Sequence, residues 1–190
     1  MKTTHLGMIE TVKGQIVAAI KETGNIVQAT VDTVAQILAT TIKDTGKVGT
    51  SVTDVVTSVA SGAIHGAAHV GADLGHTAQG IMIGVLRGTK NAGAEVLDTI
   101  SHTAHITIQD TAKVGGDVGA AAFGLVEGAI QGAKELGVSA EDAAAAAADG
   151  ALKAAGEVGS TAVDTVRKAV TKPINGIKVM LKEPELAKAA

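Results

Sequence analysis

The sequence has no cysteine, no tryptophan and no tyrosine, a single phenylalanine (Phe123), and only two prolines, both after residue 172. Lacking cysteine, the chain can form no disulfide and offers no thiolate nucleophile or thiolate metal ligand. Aromatic side chains normally carry much of a core's buried area, so their scarcity argues against an ordinary globule. It also removes the stacking platforms that nucleic-acid binders use. With 16 basic against 19 acidic residues and a formal charge of -3, there is no basic footprint either, and no nucleic-acid partner is expected. Met1-Lys2-Thr3-Thr4-His5-Leu6 lacks the apolar centre of a signal peptide, and no run of 18 apolar residues is long enough for a spanning helix. The expected location is cytoplasmic, either free or associated with a membrane or lipid surface.

What is present is a repeat. Ile42-Lys43-Asp44-Thr45-Gly46-Lys47-Val48 returns six elevens later as Ile108-Gln109-Asp110-Thr111-Ala112-Lys113-Val114. Counted in elevens from Ile9, one column holds Ile9, Ile20, Val31, Ile42, Ile64, Leu86, Leu97, Ile108 and Ile130. A second, six positions on, holds Val48, Val59, Val70, Ile81, Val114, Leu125 and Leu136. The register runs from residue 9 to 184 without an insertion. Eleven residues in three turns is about 3.67 per turn, close to a relaxed α-helix and far from the two-residue period of a strand. These columns share an apolar arc of about 130°, broader than a two-stranded seam requires.

The 24 glycines are placed rather than scattered. Gly49, Gly71, Gly93, Gly115, Gly137 and Gly159 recur at every second eleven, and Gly62, Gly84, Gly128 and Gly150 fall in the alternate elevens. The first set appears in Gly71-Ala72-Asp73-Leu74, Gly93-Ala94-Glu95-Val96 and Gly115-Gly116-Asp117-Val118, so the larger unit is a pair of elevens. On one helix the two sets lie about 160° apart and give it two small flanks. Gly80, Gly84, Gly88 and Gly124, Gly128, Gly132 have the four-residue spacing that lets helix backbones approach closely. Each glycine costs a lone helix roughly 1 kcal/mol relative to alanine, so contact must return that energy.

The fold expected from this pattern is all-α: a long, nearly continuous amphipathic hendecad helix over residues 9–172, about 250 Å if unbroken at 1.5 Å per residue. Residues 1–8 read as an N-terminal lead-in. Residues 173–190 read as a short C-terminal helix, Ile174–Lys182, followed by a tail, because Lys172-Pro173 interrupts the pattern. A turn would normally add or delete residues and break the register, so no hairpin is expected inside 9–172. Helices with two small flanks pack laterally into a homo-oligomeric wall, barrel, tube or filament, with all ten glycines of the two sets as packing positions. The apolar face must then meet a second layer, a lumen or lipid.

The repeats Val31-Asp32-Thr33-Val34, Ile42–Val48 and Val163-Asp164-Thr165-Val166-Arg167-Lys168 resemble those of perilipins and synucleins. More loosely they are similar to the double-eleven units of exchangeable apolipoproteins. Those resemblances imply an amphipathic helix lying on a lipid surface. The chain equally resembles hendecad coiled-coil families, which imply self-association. Three features depart from the lipid-surface families: lysine is sparse, isoleucine, valine and leucine are heavier, and glycine recurs at every second eleven.

No chemistry-bearing motif is found. The dinucleotide and P-loop glycine patterns and the Gly-x-Ser-x-Gly nucleophile turn are missing, and the acidic residues fall on the polar face without a pair suited to acid–base work. Five histidines, His65, His69, His76, His102 and His105, lie on or near that face. His65 and His69 have a four-residue metal-ligand spacing, but no zinc-protease glutamate follows, so a solvated face is expected and no metal or cofactor. The functional expectation is a non-enzymatic structural protein whose partner is itself. The alternative is a lipid-droplet or membrane-surface coat of individual helices.

Overall fold

A left-handed glycine followed two residues later by an aspartate or serine divides this chain. Gly71, Gly115 and Gly137 have φ of +68°, +72° and +72°, a conformation in which glycine carries no Cβ penalty. Each closes a helix with paired terminal bonds: the N–H of Ala72 donates to Ala67 O at 2.9 Å, that of Gly116 to Thr111 O at 2.8 Å, and that of Val138 to Ala133 O at 2.9 Å. Asp73, Asp117 and Ser139 then accept N–H bonds from His76, from Gly119 and Ala120, and from Asp142, starting the next helix. Stop and start occupy three residues.

The computed structural model describes residues 2–45, 51–92 and 95–181. Among these are eight helices and no extended strand: α1 Lys2–Thr23, α2 Ile26–Thr45, α3 Val52–His69, α4 Leu74–Thr89, α5 Val96–Lys113, α6 Val118–Leu136, α7 Ala140–Val158 and α8 Ser160–Val170. The single continuous helix expected over 9–172 is therefore corrected. The reason the register conceals the turns is visible in the starts of α3 to α7, at 52, 74, 96, 118 and 140. Each start follows the last by two elevens, so one helix plus one turn returns the chain to phase.

The helices form two rows. α1, α3, α5 and α7 lie side by side, and α2, α4, α6 and α8 lie beside them, with each helix packed chiefly on the one two places earlier. Within a row the helices are parallel: Gly80, Gly84 and Gly88 of α4 meet Thr30, Val34 and Leu38 of α2 in ascending order. The apolar faces meet between the rows in two clusters. One holds Val12, Ile16, Leu38, Val59 and Ile64; the other holds Leu86, Ile108, Leu125, Ile130 and the alanines of α7. α4 joins them, giving Ile81 and Val85 to the first and Met82 and Leu86 to the second. Aliphatic side chains and alanine fill these clusters without any aromatic residue.

Buried threonines tolerate this interior by turning their hydroxyls onto their own helix. Thr30, Thr77, Thr89, Thr103 and Thr111 each donate to the carbonyl four residues earlier at 2.7–2.8 Å.

Two further expectations change. The lead-in, residues 1–8, already belongs to α1 from Lys2. The helix expected at Ile174–Lys182 is instead a tight reversal within its described part. Asn175 and Gly176 take φ of +49° and +80°, and Ile174 and Ile177 exchange two backbone hydrogen bonds of 2.9 Å. Asn-Gly suits such a turn because both central residues require positive φ.

Candidate functional site

The two glycine sets separate in space. Gly62, Gly84, Gly128 and Gly150 lie inside helices where a neighbouring helix touches them. A Cβ on Gly62 would stand 2.6 Å from Val12 Cβ, one on Gly84 would stand 2.8 Å from Val34 Cβ, and one on Gly128 would stand 2.7 Å from Gln79 O. Gly150 meets the Ser101 carbonyl. Those contacts join helices of the same chain. The other set does not pack: a Cβ on Gly71, Gly115, Gly137 or Gly159 would meet nothing within 4 Å, and all four lie at helix ends with positive φ. Their assignment to helix packing is corrected to helix termination. Gly49 and Gly93 lie outside the described residues.

Of the apolar-face positions, Val31, Val59, Ile64, Ile81, Leu86, Ile108, Leu125 and Ile130 are buried. Ile9, Ile20, Ile42 and Leu136 are half-buried, as are Val70 and Val114, which terminate α3 and α5. Leu97 is 40 % exposed and is corrected to a surface residue, because it sits in the first turn of α5 at an open cavity shared with α7. Val48 lies outside the described residues.

The α3–α5 seam is built differently from its neighbours. α5 contains no glycine, and α3 turns Gly62 and Gly66 towards α1. Polar pairs bridge the seam instead. His102 Nε2 lies 2.8 Å from Thr57 Oγ1, whose hydroxyl donates to the Thr53 carbonyl at 2.9 Å. One turn onward Ser61 donates to the Asp110 carboxylate, which also takes an ammonium bond of 2.8 Å from Lys113. Asp110 is 4 % exposed, and nearby Thr107 Oγ1 is buried without a hydrogen-bond partner. Burial, followed by the neighbouring His105, holds the His102 pKa below the ordinary histidine value, against the opposing pull of Asp54 and the Thr53 carbonyl. Beside the seam a cavity of about 280 Å³ is lined by Val52, Thr53, Val56, Glu95, Asp98, Thr99 and His102.

These groups can hold two helices in register more readily than they can react. The Thr57 proton is committed to a carbonyl, so His102 is not positioned to withdraw it. The other histidines of the expected face do not gather: His76 pairs with Asp73 at 2.9 Å, His105 stands 3.5 Å from Glu157, and His69 is exposed on α3. His65 is half-buried on that helix. No group of three or more possible metal ligands occurs among the described residues. The polar seam is not among the sites expected from sequence. The absence of glycine from residues 96–113 does not mark it, because residues 25–45 lack glycine too and still receive the glycines of α4.

No protein-family model matches the sequence, and no curated protein does. A solved structure of a de novo designed helical repeat protein is similar in fold, with a TM-score of 0.54 at 15 % identity over 90 % of this chain and 92 % of that one. The likeness supports an all-helical repeat architecture. Among the described residues, no helix is long and apolar enough to cross a membrane.

Proposed function

We propose that this is a non-enzymatic structural protein, a two-row helical scaffold that pairs with a second copy through the free flank of α1. The observation that carries this reading is Gly7 and Gly14. Every glycine inside α3, α4 and α6 has a close neighbour, whereas a Cβ on Gly7 or Gly14, two turns apart on the same flank, would meet nothing within 4 Å, as at Gly156 in the last turn of α7. Both lie away from Val12 and Ile16, the residues of α1 that receive α3. Small residues elsewhere in this fold admit a parallel helix, and the same surface on two copies gives a self-complementary contact.

The test is sedimentation of the full chain over a range of concentrations, alone and as Gly7→Leu/Gly14→Leu. A dimer that the double variant converts to monomer supports the reading. A wild type that stays monomeric throughout overturns it. The lipid-coat alternative requires the apolar faces to leave one another, since the helices bury them against each other. It predicts that vesicles change the near-neighbour packing without loss of helicity.

A further inference from the structure

Each row advances by one rule: a helix is covered by the helix two places later. α1 is covered by α3, α4 by α6, α5 by α7 and α6 by α8. At the far end the rule changes. α8 has 11 residues against 19 in α6 and α7. After it the chain leaves the helical pattern at Lys172-Pro173, reverses at Asn175-Gly176 and folds back onto the helices. Ile174 is 1 % exposed and Val179 6 %, both within the cluster that contains Val166 and Val170 of α8. Met180 and Leu181 border a cavity of about 320 Å³ that both α5, through Leu97 and Ser101, and α7, through Asp149 and Leu152, help to line.

We propose that residues 173–181 are an end-stop: they cover apolar surface that a further pair of helices, supplied by a second copy of this chain, would otherwise extend. The inference rests on the self-association reading in taking a second copy as the partner, but it concerns the opposite end of the molecule. Three features carry it. The segment is not helical, so it cannot itself propagate the rows. Its two buried side chains enter the interlayer cluster, where the faces of α7 and α8 meet. Met180 is 82 % exposed while its neighbours Val179 and Leu181 are buried and half-buried, so the strap presents only one narrow edge inward. Repeat arrays need such terminal elements, because an uncovered end is the same surface that joins successive repeats. A flank contact at α1 closes after two copies, whereas an uncovered C-terminal end gives each copy a second apolar surface through which such pairs, or single copies, can join end to end.

The experiment uses the full chain with the strap released in two independent ways. Ile174→Asp/Val179→Asp removes its apolar anchors. Gly176→Val strains the reversal at φ +80° and leaves every anchor in place. Sedimentation, with helicity followed by circular dichroism, should show both variants helical and forming species larger than the wild type at concentrations about tenfold lower or more. Helical variants that keep the wild-type size would overturn the end-stop. If the charged variant loses helicity, the Gly176 variant decides by the same criterion. If the wild type is a dimer and the variants do not grow, the end-stop falls and α1 pairing stands. If the wild type is a monomer and the variants associate, α1 pairing falls and the end-stop stands.

Discussion

The row α2–α4–α6 and the seam α3–α5 solve one problem in opposite ways. In the first, glycines at four-residue spacing bring backbones together, so that Gly80, Gly84 and Gly88 rest on Val27, Val31 and Ala35 of α2. Contact is set by shape and extends over most of each helix. In the second there is no glycine in α5, and the helices are joined by Thr57–His102 and Ser61–Asp110. Glycine contacts supply dispersion over a long surface but tolerate sliding by a whole four-residue step. Buried polar pairs contribute less area yet fail completely if the register slips, because each unpaired group then bears its desolvation cost. The two devices therefore divide the work of holding the rows together and keeping them aligned.

The largest effect should come from breaking the glycine side. Gly84→Leu places a Cβ 2.8 Å from Val34 Cβ and 2.9 Å from Val31 O, and neither backbone can retreat without separating α2 from α4. Overpacking of this kind costs about 3 kcal/mol or more, so the variant should unfold at markedly lower urea. Gly115→Ala, a turn glycine with open space around it, should lose only about 1 kcal/mol, from its positive φ alone. Equal losses at the two positions would show that the glycine sets do not have separate roles.

That separation also shows what is legible in the sequence. The period of eleven, the helical class and the double-eleven unit are all readable because apolar periodicity and glycine placement are local properties. The turns are readable too, in principle. Gly71-Ala72-Asp73, Gly115-Gly116-Asp117 and Gly137-Val138-Ser139 each pair a helix-ending glycine with an N-capping side chain. They are hidden by the assumption that a reversal must disturb the register, which fails when helix and turn together span two whole repeats. The partners of Gly62 and Gly84 are a different matter. A flank of small residues states that a helix can come close without stating which helix. Only the chain's path shows that the neighbour is α1 or α2 of the same molecule. The seam is least legible, because Ser61 and Asp110 are far apart in sequence and each fits an ordinary polar face.

Breaking the polar side should have an intermediate effect. Asp110→Ala leaves the hydroxyl of buried Ser61 without its acceptor and removes the carboxylate that Lys113 reaches inward to meet. A buried polar group stripped of its partner costs about 1–3 kcal/mol. Replacing both, as Ser61→Ala/Asp110→Leu, should recover part of that loss if the pair serves alignment more than stability. Urea unfolding of the two variants measures the difference, and a double variant weaker than Asp110→Ala would argue that the pair is a net source of stability.

The smallest effect, and the one that isolates the seam, is its response to acid. His102 is held below the ordinary histidine pKa chiefly by burial, with His105 adding to the shift and Asp54 opposing it. A histidine whose folded pKa is depressed binds fewer protons folded than unfolded. Its contribution is therefore complete above the unfolded value of about 6.5 and is lost as pH falls through the lower folded value. The wild type should lose stability as pH falls below about 6.5, and His102→Gln, which can still donate to Thr57, should lose less. The even row contains no comparable group: His76 is exposed beside Asp73 at the start of α4, away from the glycine contacts. If the two proteins show the same pH dependence, acid acts elsewhere in the molecule. If the glutamine variant is flatter, the imidazole couples ambient proton concentration to the one joint in the odd row that glycine does not seal.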